Sequence, residues 1–233
     1  MINSYVCIDL ETTGLNPKMD KIIEIGAVKV KEGAITDTFS TFVNPGRSLE
    51  DRVSELTGIT SADLENAPYI EDILPELEVF LEDLPLLGHR ILFDYSFLKK
   101  AMVNSKKTFE KQGLDTLRIA RRFLPELPHR TLEYLCEYYK ISHKAHRAYE
   151  DAKATSELYQ ILARDFYSEE EACFKLQPLV YQVKKETPIT KPQKERLYRL
   201  LEKHGITPDY DVEKLTRSEA SRHTDKILSK YGL

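Results

Sequence analysis

The chain has 233 residues, is 41% hydrophobic and carries a formal net charge of −4, which allows one ordinary core with an appendage and excludes a uniformly basic nucleic-acid binder. Three cysteines, Cys7, Cys136 and Cys173, are odd in number and far apart, which argues against a disulfide framework or a zinc site. No stretch approaches the roughly 18 apolar residues of a membrane span and there is no basic leader, so a soluble cytoplasmic protein without membrane contact is expected.

Residues 4–10 are apolar and β-branched enough for a central strand, and the following "TTGLNPKMD" is turn chemistry. Residues 21–30 and 37–45 read as two further strands joined by a turn at Glu32-Gly33, giving an antiparallel meander. After Pro45, "SADLENA" (61–67) opens behind a polar cap at Ser61 or an equivalent residue. Residues 69–84 place Ile70, Ile73, Leu74, Leu77, Phe80 and Leu81 at helical spacing. A short buried strand is expected over 85–89, then helices near 95–104, 115–124, 131–140 and 148–166. Strands first, then helices interleaved with short strands, predict an α/β fold with a mixed sheet flanked by helices.

The charge is uneven. Residues 1–183 hold 22 basic against 30 acidic residues, and residues 184–233 hold 12 against 8. The expected organisation is a main domain over 1–167, a linker over 168–189 that packs partly on it, and a small basic two-helix module over 190–233. Thr216 with Glu219 fits a capping box in the module, and Gly205 and Gly232 stand where helices end.

Three sites place acids where apolar residues are the rule. In the first strand Tyr5, Cys7, Asp9 and Glu11 share one face and Val6, Ile8 and Leu10 the other. Asp9 and Glu11 are then about 6.6–6.8 Å apart along the strand; taken alone, the pair also suits a solvated strand end. Asp94 heads an apolar stripe of Phe97, Leu98, Ala101 and Met102, a position equally open to an N-cap. Asp151 heads a stripe with Thr155, Leu158 and Leu162, and His146 lies five residues before it. Four inward carboxylates carry −4, which two divalent cations balance. Paired cations about 3.5–4 Å apart suit in-line displacement at phosphorus. Oxygen ligands select Mg²⁺ or Mn²⁺, and His146 is the candidate general base for an attacking water.

These residues resemble the three motifs of the DnaQ-like (DEDDh) 3′–5′ exonucleases. "DLETTGL" carries Asp9 and Glu11, "GHRILFDYSFL" carries Asp94, and "HRAYEDA" carries His146 and Asp151 at the H-x₄-D spacing. The tyrosine variant of the family needs Tyr at position 147, which is Arg147, so the histidine class is implied. "LDTLRIARRFLP" (114–125) is similar to the segment between the second and third motifs, and the resemblance covers residues 3–166.

The resemblance implies a ribonuclease-H-like fold with a mixed five-stranded sheet. It implies Asp9, Glu11, Asp94 and Asp151 as ligands of two Mg²⁺ or Mn²⁺ ions, with His146 as base. It also implies that Thr12, Thr13 and Leu15 line the 3′-terminal nucleotide, Leu15 as a wedge, and that Phe97 walls the site. Arg90 stands where the family commonly has Asn. The implied activity is release of nucleoside monophosphates from single-stranded 3′ ends, DNA before RNA, with a DNA polymerase or repair protein as partner. An RNA exonuclease of the same chemistry and a non-catalytic binding module are the alternatives. The C-terminal pair, through "LTRSEAS", is similar to a helical module appended to DNA-associated proteins; it is read as binding single strands or a protein partner, or as a structural cap.

Overall fold

The computed structural model describes residues 1–168, 171–183 and 185–232. The chain divides into two compact units, Met1–Pro45 with Leu49–Gln182, and Gly46–Ser48 with Val183–Leu233.

In the first unit β1 (Tyr5–Thr12), β2 (Ile22–Lys31) and β3 (Ala34–Phe42) form an antiparallel meander. Lys31 pairs with Ala34, so Glu32 and Gly33 alone make the turn, with φ of 53° and 82°. Two successive left-handed residues match the twist of the flanking strands. Next come α1 (Asp51–Thr57), α2 (Ser61–Glu65), α3 (Ile70–Leu81), β4 (Leu86–Gly88), α4 (Leu92–Asn104) and β5 (Gln112–Asp115). The unit continues through α5 (Thr116–Phe123), α6 (Leu132–Tyr139), α7 (Ala148–Phe166) and β6 (Gln177–Pro178). The sheet order is β3-β2-β1-β4-β5-β6. β1 pairs parallel with β4 and β4 with β5, and the outer pairings are antiparallel.

The alternation expected of β1 holds. Val6, Ile8 and Leu10 enter a core with Ile73, Leu74, Leu77, Tyr95 and Leu98 of α3 and α4. Tyr5 and Cys7 enter a second core with Ile119, Leu135, Leu158 and Leu162 of α5, α6 and α7. The sheet is thus covered on both faces, and the mixed sheet flanked by helices is borne out.

The sheet has one strand more than the expected five. β6 is two residues long and falls in the 168–189 segment, of which residues 169, 170 and 184 lie outside the described residues. In the same segment a 3₁₀ turn, Ala172–Phe174, buries Cys173 and Phe174 in the α7-side core, and Leu179 enters the other core. The cap of α2 is Thr60, whose side chain and that of Asp63 form a reciprocal capping box. α4 begins at Leu92, so Asp94 lies in its first turn rather than at its cap.

In the second unit α8 (Lys191–Lys203) and α9 (Arg217–Tyr231) each begin with a capping box, Thr190 with Gln193 and Thr216 with Glu219. Leu197, Leu201, Ala220 and Ile227 pack with Ile189, Val212 and Leu215 into its own small core. Among the described residues no helix is long and apolar enough to cross a membrane.

Candidate functional site

Asp9 and Glu11 continue the Tyr5–Cys7 face of β1 beyond the apolar core, and both are half-buried. Across the antiparallel pair Gly26 of β2 stands opposite Asp9, and Glu24 opposite Glu11. A Cβ at Gly26 would lie 2.0 Å from the Ala148 carbonyl carbon and 2.0 Å from the Tyr149 nitrogen. The first turn of α7 therefore rests directly on the β2 backbone, which only glycine permits. That approach carries Asp151, 7% exposed, over β1. One oxygen each from Asp9, Glu11 and Asp151 lies within 4.8 Å of the others.

Asp94 is 3% exposed and its Oδ1 accepts the Leu10 amide at 3.1 Å. It stands outside that three-oxygen group but close enough to act on Asp9. Burial, then Asp94, Asp151, Glu11 and Glu24, raise the Asp9 carboxyl well above the usual range. Burial, then Asp151 and Glu24, push Glu11 up to about 8, with Arg147 opposing. Burial also raises Asp94 against the two backbone hydrogen bonds that hold it. Crowded hard-oxygen donors whose ionised forms lack a balancing charge are what a divalent cation neutralises, so the residues present fit such an ion.

His146 is exposed and has a φ of 64°, in the left-handed region. The loop is held at the next residue. The Arg147 amide donates to Asp151 Oδ2 at 3.0 Å, and its guanidinium donates to Glu24 Oε1 from Nη2 at 2.9 Å and from Nε at 3.2 Å. The Ala148 amide donates to Glu24 Oε2 at 3.1 Å, and Arg147 lies over the Phe42 ring. Glu24, 1% exposed, thus fastens the start of α7 to β2. His143 Nε2 lies 2.5 Å from Asp151 Oδ1, so both Asp151 oxygens have protein partners.

Glu24, Arg147 and His143 escape the motif reading. The signal for Glu24 was the one acid inside the apolar run "IIEIGAV". His143 and Arg147 flank His146 without any periodicity to distinguish them.

The turn after β1 is closed by its own side chains. Thr12 Oγ1 donates to the Gly14 carbonyl at 2.7 Å, Thr13 Oγ1 accepts the Lys21 amide at 3.0 Å, and Asp20 Oδ2 accepts the Asn16 amide at 2.9 Å. Leu15 stands at the tip, 76% exposed. Phe97 is 2% exposed and sits in the core, with its ring 5.1 Å from the partly exposed Phe93. Arg90 has a φ of 75°, and its amide donates to Asp115 Oδ1 at 2.9 Å.

Carboxylates gathered at the end of a central strand, on a mixed sheet covered by helices on both faces, form a cluster that fits a divalent cation on a ribonuclease-H-like scaffold. The chain belongs to the DnaQ-like exonuclease family, whose model (RNase_T, Exonuclease) matches residues 6–159. The DNA polymerase III PolC-type of Clostridium perfringens is 41% identical over 157 residues, covering 67% of this chain and 11% of that protein. The DNA polymerase III subunit epsilon of Aquifex aeolicus is 37% identical over 158 residues, covering 67% of this chain and 78% of that one. The chain thus spans about a tenth of the PolC-type relative and most of the epsilon relative. Among solved structures, exonuclease X in complex with 5′ overhanging duplex DNA aligns with a TM-score of 0.57 at 25% identity, over 69% of this chain and 92% of that one.

Proposed function

We propose that the chain is a metal-dependent 3′–5′ exonuclease that releases nucleoside monophosphates from single-stranded DNA ends in preference to RNA. Residues 1–167 are the catalytic domain of this reading, and a DNA polymerase or repair protein is the partner it implies. The observation that carries it is the convergence of Asp9 and Glu11 of β1 with Asp151 of α7 within 4.8 Å, with His146 in the loop that leads into α7. The substrate assignment draws support from relatives named as DNA polymerase III components and from the DNA complex of exonuclease X.

Asp9, Glu11, Asp94 and Asp151 hold two Mg²⁺ or Mn²⁺ ions. When bound, the ions supply the positive charge that stabilises the oxygens of an in-line displacement at phosphorus. His146 removes a proton from the attacking water as its oxygen bonds to phosphorus, and its exposure lets it pass that proton to solvent. The bond from phosphorus to the 3′ oxygen breaks, and that oxygen leaves on the shortened strand as an alkoxide that takes a proton from solvent to become the new 3′ hydroxyl. Thr12 and Thr13 shape the turn against the terminal nucleotide, and Leu15 offers its exposed side chain to the terminal base. Phe97 acts from behind Phe93 as a fixed wall.

The test is a time course in Mg²⁺ with 5′-labelled and 3′-labelled oligomers of DNA and of RNA. Stepwise shortening of the 5′-labelled strand, with immediate release of the 3′ label as a mononucleotide, is expected, and faster for DNA. Internal fragments, or loss of the 5′ label first, would overturn the reaction; faster loss of RNA would overturn the substrate.

A further inference from the structure

We propose that the second unit carries a separate, sequence-independent binding face for single-stranded nucleic acid, formed by Arg196, Arg199 and Lys203 of α8 with Arg222 of α9. Two contacts fix the arrangement of the helices. At the start of α8 the Gln193 side-chain amide donates to the Arg217 carbonyl at 3.0 Å and to the Ser221 hydroxyl at 3.2 Å, at the start of α9. Past the end of α8 His204 stacks on Tyr231 at the end of α9, with centroids 4.9 Å apart. The helices therefore lie side by side and run in the same direction.

Their shared core takes Leu197, Leu201, Ala220 and Ile227 from one side of the pair. At about 100° per residue, Arg196, Arg199 and Lys203 project from α8 on the side away from that core. The same rotation, oriented by the Ser221 and Tyr231 contacts, puts Arg222 on the matching side of α9. The three α8 residues are exposed and Arg222 is partly so.

None of the four makes an ion pair among the described residues. The Arg199 Nε donates only to the Glu195 carbonyl one turn earlier, at 3.2 Å. Lys194, by contrast, points elsewhere and is paired with Glu213. Asp225, three residues after Arg222, shares this side of α9, and Glu195 and Glu202 stand one turn before and after Arg199 on α8, none of them in an ion pair with the four among the described residues. A short helix pair thus keeps four cations on one side with no carboxylate in ion-pair contact among the described residues, in a segment that holds 12 basic against 8 acidic residues. Such an arrangement costs self-repulsion and gains from a polyanion. It offers no aromatic platform for base recognition, so phosphates are the contact and no base sequence is selected.

The face rests on charge and geometry of this unit and not on the proposed catalysis, and the experiment keeps the two apart. The full-length chain and its R196Q/R199Q/K203Q variant are titrated with a fluorescent oligo(dT) in EDTA, across 50 to 200 mM salt. Loss of three phosphate contacts should flatten the plot of log affinity against log salt by about 2. Over that fourfold range the unmodified chain should then lose about 16-fold more affinity than the variant. Glutamine keeps the helix propensity of the residues it replaces, so the melting temperature should not move. If the triple variant does not fold, R199Q alone should flatten the slope by about 0.7. Equal slopes and affinities would overturn the proposal. Hydrolysis of a small phosphodiester such as thymidine 5′-(p-nitrophenyl phosphate) in Mn²⁺ reads the carboxylate site alone and should be equal in both proteins. Its absence from both would count against the exonuclease reading and leave the binding result standing.

Discussion

An ionised Asp9 faces Asp94, Asp151, Glu11 and Glu24 from a half-buried position, so the apo protein bears a repulsion that a bound cation removes. Asp9→Asn should therefore abolish Mg²⁺-dependent cleavage while leaving the metal-free melting temperature unchanged or higher. Retained cleavage, or a large loss of apo stability, would contradict the assignment. His146→Ala separates the proton step from ion binding. Cleavage should fall by roughly 10²–10⁴-fold, the usual scale for a positioned base, with the Mg²⁺-induced rise in melting temperature intact. Glu24 makes a different contribution, because it accepts from Arg147 and Ala148 and touches no reacting atom. Glu24→Leu strands the Ala148 amide and frees the guanidinium to turn to solvent, where it is already partly exposed. It should cost about 1–3 kcal/mol in urea unfolding.

At the scale of elements, the site exists because α7 lies on β2 at Gly26. Gly26→Ala puts a methyl 2.0 Å from the α7 backbone, with no flexible side chain to give way. The helix start must shift, at a cost of about 1–3 kcal/mol, and Asp151 shifts with it. Unfolding and cleavage assays on the same preparation should both register the change; a neutral result would mean that the contact is looser than it stands. Much of this level was legible in the sequence. The period-2 face of β1 announced which of its residues meet α7, and the stripe Ile73, Leu74, Leu77, Phe80 and Leu81 announced the buried side of α3. α1 was not legible, since only Thr57 of it is buried and no apolar stripe forms. β6 was not, because two residues carry no periodicity and one of them is Pro178. The motif acids could be read from residue type and spacing, whereas Glu24 and His143 are defined by partners 123 and 8 residues away. Phe97 shows the same limit, for its helical spacing fits both a core residue and a site wall; it is buried in the core with its ring against the partly exposed Phe93.

For the whole molecule the carboxylate cluster sets a pH dependence. Raised carboxyl groups bind protons more tightly in the folded chain than in the unfolded one, so their contribution is fully present below about pH 4.5. It is lost as pH rises through the folded value near 8 for Glu11. The metal-free protein should thus lose thermal stability between pH 5 and 8. Mg²⁺, which binds the ionised cluster of the folded state, should restore it increasingly toward the upper end of that window. Melting curves in EDTA and in millimolar Mg²⁺ across this range test the sign. Apo stability that rises with pH, or a Mg²⁺ effect largest at pH 5, would contradict the electrostatic account.

The order of the sheet also bears on how the chain is made. β1 closes a local hairpin with β2, but its other neighbour, β4, lies some 80 residues onward, and the helix that covers Cys7 ends only at Phe166. At about 5–20 residues per second, the interval between synthesis of β2 and completion of α7 is roughly 7–30 s. Through that interval the meander holds an apolar face and an uncovered thiol that the finished fold buries completely. Cys7, fully buried in the native unit, is therefore a built-in clock: its protection from a thiol reagent should lag hairpin formation and coincide with the docking of α7.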